Sequence, residues 1–191
     1  MSDLLAERLN KVLPTLCSTD FLDGRGIGNE MAFYIFDYPP ERELFVREFV
    51  YALPSQLAQK KPSLRVKHLN LFDFVIDYLK SRKLLDRALA MQQTKGDAAV
   101  RKALEAPLHE NKLAPYFLEV VQPDKLDLVL LSGMGSVWPL VRAHTLLNNL
   151  HTVMNRTPLV LFYPGSYDGQ TLHLFNKLKG KKYYRAFRLV P

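Results

Sequence analysis

Four kinds of chemistry can be sought among the residues of this chain, and each lacks part of its machinery. Nucleotide hydrolysis needs GxxxxGK and then Ser or Thr after a strand, so that backbone amides and the lysine hold phosphates. No such string occurs: Gly180-Lys181 runs into Lys182. The apolar run AFYIFD ends in Asp37, as a magnesium-binding strand does, but without the phosphate loop it reads as a buried strand with a polar end. Gly24, Gly26 and Gly28 precede a strand instead of following one, the wrong context for a dinucleotide. Ser132-Gly133-Met134-Gly135-Ser136 does lie between a strand and a helix, where free amides attract anions; small residues there equally let the chain turn tightly. A nucleophile elbow needs Gly-x-Ser-x-Gly, and Ser132 stands between Leu130 and Met134 instead. The single cysteine, Cys17, follows a helix with an apolar face and reads as a buried thiol. It excludes an internal disulfide and a multi-cysteine zinc site. Of the five histidines, none is three or four residues from another. His144 and His151 share a helix face but lie two turns apart, about 10 Å, too far to chelate one ion unaided. The reading is therefore non-catalytic, with no metal site and no cofactor.

The C-terminal segment differs in character. Of the +7 net charge, six belong to Lys177, Lys179, Lys181, Lys182, Arg185 and Arg188, and no acid follows Asp168. Tyr183, Tyr184 and Phe187 interleave with the two arginines. Such a pattern suits stacking on unpaired bases, an Arg and Tyr contact with a protein, or a plain strand with aromatics buried and arginines outside. Gly165 and Gly169 suit turns, and Asp168 is placed to cap a helix.

The elements that must position these residues follow from periodicity. Leu4, Leu5, Leu9, Val12, Leu13 and Leu16 mark a first helix, which Pro14 should end or bend. MAFYIF, Met31 to Phe36, reads as a buried strand. Pro40 opens a helix carrying Leu44, Phe45, Phe49 and Leu53. Leu64 to Leu69 is a second strand, followed by a helix capped by Asn70. Residues 83–121 are helical throughout, punctuated by Gly96 and Pro107, and form a helical insertion. Leu126 to Leu131 is the third strand. A long helix then carries Leu140, Ala143, Leu147, Leu150 and Met154, with Ser136 as its cap. Pro158 to Tyr163 is the fourth strand, and Pro164 to Gly169 a loop. Leu172, Phe175 and Leu178 suggest a short helix closed by Gly180, and Tyr183 to Val190 the last strand. This alternation predicts an α/β fold: a mostly parallel central sheet with helices on both faces, nucleotide-binding-like in topology but lacking a P-loop. Ligands of such sheets sit beyond the C-terminal strand ends. Here those ends are Asp37 to Pro40, His68 to Phe72, Ser132 to Ser136 and Pro164 to Gln170.

At 191 residues and 22.0 kDa, with 48% hydrophobic and 24% charged residues, the chain reads as one α/β domain spanning 1–191. Its N-terminus, MSDLLAERLN, lacks the apolar core of a secretory signal, and no apolar run approaches a membrane span. A cytoplasmic location is expected.

The string FYPGSYDGQTLHLFNKLKGKKYYRAFRLV, Phe162 to Val190, resembles the C-terminal signature of the BrxB family, small proteins of the BREX bacteriophage-exclusion systems. GRGIGNEMAFYIFDYPPE and LDLVLLSGMGSVWPLVRAHTLLNNL are similar to that family too, so the resemblance spans nearly the whole chain, least at 83–121. It implies work alongside a PglZ-like protein of the alkaline-phosphatase superfamily, a BrxC-like ATPase and a PglX-like DNA methyltransferase, and it brings no catalytic residues. The expected role is a non-enzymatic adaptor that binds the PglZ-like subunit, through a surface holding Tyr167, Asp168, Lys181, Lys182, Arg185 and Arg188. The alternative is a DNA-binding accessory subunit using the same basic segment. Ser132, Gly133, Gly135 and Ser136 are the candidates for anion binding.

Overall fold

Strict alternation along three strands builds the two cores. In the computed structural model, which describes residues 4–22, 33–154, 157–183 and 186–191, β1 (Phe33–Tyr38) sends Phe33 and Ile35 to one face. Tyr34, Phe36 and Tyr38 go to the other. β3 (Leu128–Ser132) divides Val129 and Leu131 from Leu128 and Leu130 in the same way. β4 (Leu159–Tyr167) divides Leu159, Leu161 and Tyr163 from Val160 and Phe162. A strand buried on both faces needs no polar side, which is why these runs are continuously apolar.

The sheet order is β2-β3-β4-β1-β7, with β2 at Val66–Asn70 and β7 at Phe187–Arg188, and every pair on this path is parallel. One face is covered by α1 (Leu4–Cys17), α2 (Thr19–Leu22) and α3 (Glu43–Lys60). The other carries α4 (Leu71–Ser81), α5 (Leu85–Glu105), α6 (Glu110–Val121), α7 (Met134–Val137) and α8 (Ala143–His151). The fold class is thus α/β with helices on both faces. Asn70 caps α4 as expected, its side chain accepting the Phe72 amide at 2.9 Å. The stretch between α4 and β3 is helical and breaks where glycine and proline predict. Gly96 takes φ 77 inside α5, and Pro107 separates α5 from α6.

Four expectations need correction. Pro14 does not end α1, which runs on to Cys17. Ser136 does not cap the long helix: it lies inside the one-turn α7, and Pro139, after a cis Trp138–Pro139 peptide, separates α7 from α8. Proline disfavours helical backbone at its predecessor, so α7 stops at Val137 with Trp138 extended, and α8 begins at Ala143. Residues 172–178 are not a helix. They belong to an antiparallel hairpin, β5 (Thr171–Leu174) and β6 (Leu178–Lys182), with β5 laid against the end of β4. The three-residue spacing of Leu172, Phe175 and Leu178 imitates a helix. The turn is instead made by Phe175 and Asn176, both at positive φ (56° and 58°). Gly180 closes no helix; a Cβ there would lie 2.8 Å from the Leu172 carbonyl, so glycine lets β6 approach β5. Finally, among the described residues of the last segment only Phe187 and Arg188 pair with β1, and Pro164 to Tyr167, expected as loop, extend β4. Tyr184, Met31, Ala32 and the Gly24–Gly28 stretch lie outside the described residues.

Candidate functional site

The polar groups expected at the strand ends are mostly engaged within the fold. Asp37 is buried, and both carboxylate oxygens are taken. Oδ1 accepts from the Arg8 guanidinium at 2.7 Å and Oδ2 from the Tyr167 amide at 2.9 Å. Arg8 also donates to the carbonyls of Asp37 and Val190, and its guanidinium lies 4.8 Å from the centre of the Phe36 ring. The Ser132 hydroxyl is 2.8 Å from His68 Nε2.

Burial pushes the His68 imidazole below its ordinary value, with the Asp73 carboxylate opposing weakly. The neutral form is thus favoured in the folded state, and the unfolded chain binds the extra proton. Stability should fall as pH drops below the unfolded value of 6.5 toward the lower folded one. Melting curves of the wild type and His68→Gln between neutral pH and mild acid check this. A variant as acid-sensitive as the wild type would remove His68 from the account.

The glycines of the Ser132–Ser136 turn are explained by packing. A Cβ on Gly133, at φ 78, would lie 2.5 Å from Asn70 Oδ1, and one on Gly135 would lie 2.9 Å from the Phe175 ring. The loop therefore locks α4 and the hairpin against β3. Ser136 is exposed.

Tyr167 is fully buried, a place its position in an expected surface loop did not suggest. Its hydroxyl sits 2.9 to 3.0 Å from the carbonyls of Gly169, Tyr183 and Ala186, where it ties the hairpin root to the last segment. The Arg188 guanidinium donates to the Tyr167 carbonyl, although the residue is exposed. Asp168 caps the β4–β5 turn and not a helix. Its carboxylate accepts the Gln170 and Thr171 amides, which together hold its pKa below the ordinary range. Lys181 and Lys182 lie on β6, and Arg185 lies outside the described residues.

Two features were not legible as sites. The first is a cleft of about 390 Å³ beside the hairpin. β1 leaves the sheet toward α3 on one face, whereas β3 leaves toward α7 and α8 on the other. Ligands favour the crevice where connections part in this way. β4 lies between those two strands, overruns them and turns into the hairpin, so the crevice survives only between the hairpin and α7–α8. Trp138, Arg142 and His144 form one wall, Lys177 and Lys179 the other, with Met134, Leu172 and Leu174 as the apolar floor. No acid lines it. Arg142, Lys177 and Lys179 are exposed and pair with no carboxylate among the described residues. The second feature is an exposed apolar face. Leu44 (64%), Phe45 (47%) and Tyr51 (51%) stand out from α3, and Phe72 (47%) from α4. Leu44 and Tyr51 are two turns apart on one stripe, and Asn70 joins Tyr51 to Phe72 through its amide and its cap. Phenylalanine and leucine at helical spacing gave a core signal, which hid their exposure.

Fold and surface together define a mostly parallel α/β fold whose strand-end polar groups brace the structure, leaving a basic cleft and exposed apolar side chains on α3 and α4. Comparison with known proteins places it further. The family model "BREX protein BrxB" matches residues 67–189. The chain is 39% identical over 188 residues to the BREX protein BrxB of Bacillus cereus (strain H3081.97), covering 96% of each chain. It is also 39% identical over 188 residues to the BREX protein BrxB of Escherichia coli O9:H4 (strain HS), covering 98% of this chain and 92% of that one. The chain belongs to the BrxB family. No solved structure matches it. Among the described residues no helix is long and apolar enough to cross a membrane.

Proposed function

We propose that this protein is an assembly subunit of a BREX anti-phage system, holding the PglZ-like subunit in a complex that supports host DNA methylation and phage restriction. A BrxC-like ATPase and a PglX-like methyltransferase are the further candidate partners, and the work is done in the cytoplasm without catalysis by this chain. The observation that carries the reading is the exposed face of Leu44, Phe45, Tyr51 and Phe72. Exposed apolar and aromatic side chains set among charges are what protein contacts bury. Here Arg47 and Glu48, both exposed, lie between Leu44 and Tyr51 along α3. The engagement of Asp37, Ser132 and Tyr167 inside the fold supports the same view, because these groups brace the scaffold.

The test is co-expression with the neighbouring PglZ-like protein and measurement of the purified mass, with nuclease present, at low and moderate salt. A stoichiometric complex is expected under both conditions. Leu44→Glu with Phe72→Glu should weaken it about tenfold or more, the effect of losing one interface anchor of at least ~1.4 kcal/mol. A free monomer at both salts overturns the reading. A complex that ignores Leu44→Glu and Phe72→Glu but fails with Arg188→Glu moves the contact to the C-terminal segment.

A further inference from the structure

We propose that the cleft between the β5–β6 hairpin and the α7–α8 connection binds a nucleoside phosphate, with the base against Trp138 and the phosphates among Arg142, Lys177 and Lys179. The inference is independent of the assembly role. Its volume, about 390 Å³, falls in the range of small-molecule sites. Three further observations converge on it.

The first is charge. Arg142 and two lysines face the cleft, together with His144, and no acid lines it. Arg142, Lys177 and Lys179 pair with no carboxylate among the described residues, and like charges gathered at one cleft are stabilised by a polyanion.

The second is the start of α8. This nine-residue helix opens on the cleft through Arg142, Ala143 and His144, and no side chain caps it. Its first-turn amides and positive dipole end favour phosphate oxygens.

The third is Tyr163. The residue is 2% exposed, lines the cleft, and its hydroxyl makes no hydrogen bond among the described residues. A hydroxyl left without a protein partner at the wall of a cleft is free to bond a ligand, and a phosphate or ribose oxygen would supply the partner.

Cations alone would suit any anion. Trp138 narrows the class. It is 43% exposed at the rim of the same cleft, where a flat aromatic surface beside phosphate-binding groups matches a base joined to phosphates. The ligand source is either a free nucleotide or the end of a single strand, and the shared chemistry is the same.

Trp138 is the single tryptophan of the chain, so its fluorescence reports directly on the cleft. The experiment titrates the full chain with ADP, inorganic pyrophosphate and octathymidylate, following Trp138 emission and the heat of binding. ADP or octathymidylate should quench Trp138 with submillimolar affinity, and pyrophosphate should compete. Tighter binding of ADP assigns the cleft to free nucleotides, and tighter binding of octathymidylate to strand ends. Lys177→Glu with Lys179→Glu changes only exposed side chains and should weaken either ligand at least tenfold at an unchanged melting temperature. Trp138→Leu should reduce ADP affinity to that of pyrophosphate. No binding of any probe at millimolar concentration overturns the proposal. So does binding that survives the lysine reversal, and so does pyrophosphate binding as tightly as ADP in the wild type.

Discussion

Replacing Asp37 with Ala should destabilise the protein by about 3 kcal/mol, the low end for breaking a buried ion pair by removing one partner. The low end applies because the two side chains keep 17% and 11% exposure. Two connections fail together. The Arg8 guanidinium loses its carboxylate at 2.7 Å. The Tyr167 amide loses its acceptor at 2.9 Å. The α1 helix keeps its link to β1 and to the last segment only through the main-chain carbonyls of Asp37 and Val190, which still accept from Arg8. Arg8 Nε is already buried without a hydrogen-bond partner, so the cation would be left with two neutral carbonyls in place of its carboxylate. For a chain of this size each kcal/mol lowers the melting temperature by about 2–4 °C, which puts the expected drop near 6–12 °C. Arg8→Met alone should be similarly harmful. Arg8→Met with Asp37→Ala should cost less than the sum, because the uncompensated charge is gone. Additive losses in that double-mutant cycle, or a drop below about 2 °C for Asp37→Ala, would show that the contact does not hold the fold.

This network shows what the sequence conveys and what it withholds. FYIFDY announces a buried strand because nearly every residue is apolar and the only charge comes late. The strand is legible, and so are its neighbours LVLL and LVLFY. That Asp37 would meet Arg8 is not legible, since the partner lies 29 positions away on an otherwise ordinary amphipathic helix. The hairpin was hidden for a different reason. Its turn uses Phe175 and Asn176 at positive φ, where glycine would have been the signal, and Leu172, Phe175 and Leu178 repeat at a helical interval. Tyr167 looked exposed because PGSYDG reads as a turn. In the fold β4 continues through it, and the ring is enclosed while only Asp168 and Gly169 turn. The cleft was illegible because it needs both errors undone. Its cations come from a hairpin that read as a helix, and from a helix start that Pro139 displaces beyond Ser136.

Gly165→Ala should be the most damaging small substitution in the hairpin. Gly165 takes φ +152, and a Cβ there would lie 2.1 Å from the His173 carbonyl oxygen and 3.0 Å from the Phe175 amide. Both obstacles are main chain, so no rotamer change relieves them. Either β4 or β5 must move, and β5 is the weaker, since it is held by four residues of strand and a two-sided hairpin. Gly169→Ala is the matched control. Its φ is +92, but nothing lies within 4 Å of the added Cβ, so only the backbone penalty of about 1–2 kcal/mol applies. Gly165→Ala should exceed that by at least ~2 kcal/mol, in the range of overpacking a filled site. The loss should also be local. Hydrogen exchange should accelerate across β5 and β6 while the amides of β1, β3 and β4 up to Tyr163 keep their protection. Phe175 then leaves Gly135, Leu172 and Leu174 leave the cleft floor, and the quench of Trp138 by ADP is lost although Trp138 and Arg142 are untouched. Equal destabilisation by the two alanines would mean that β5 yields without strain. Uniform loss of protection across the hairpin and the parallel strands would mean that the hairpin is an integral part of the core and not an appendage laid over the strand ends.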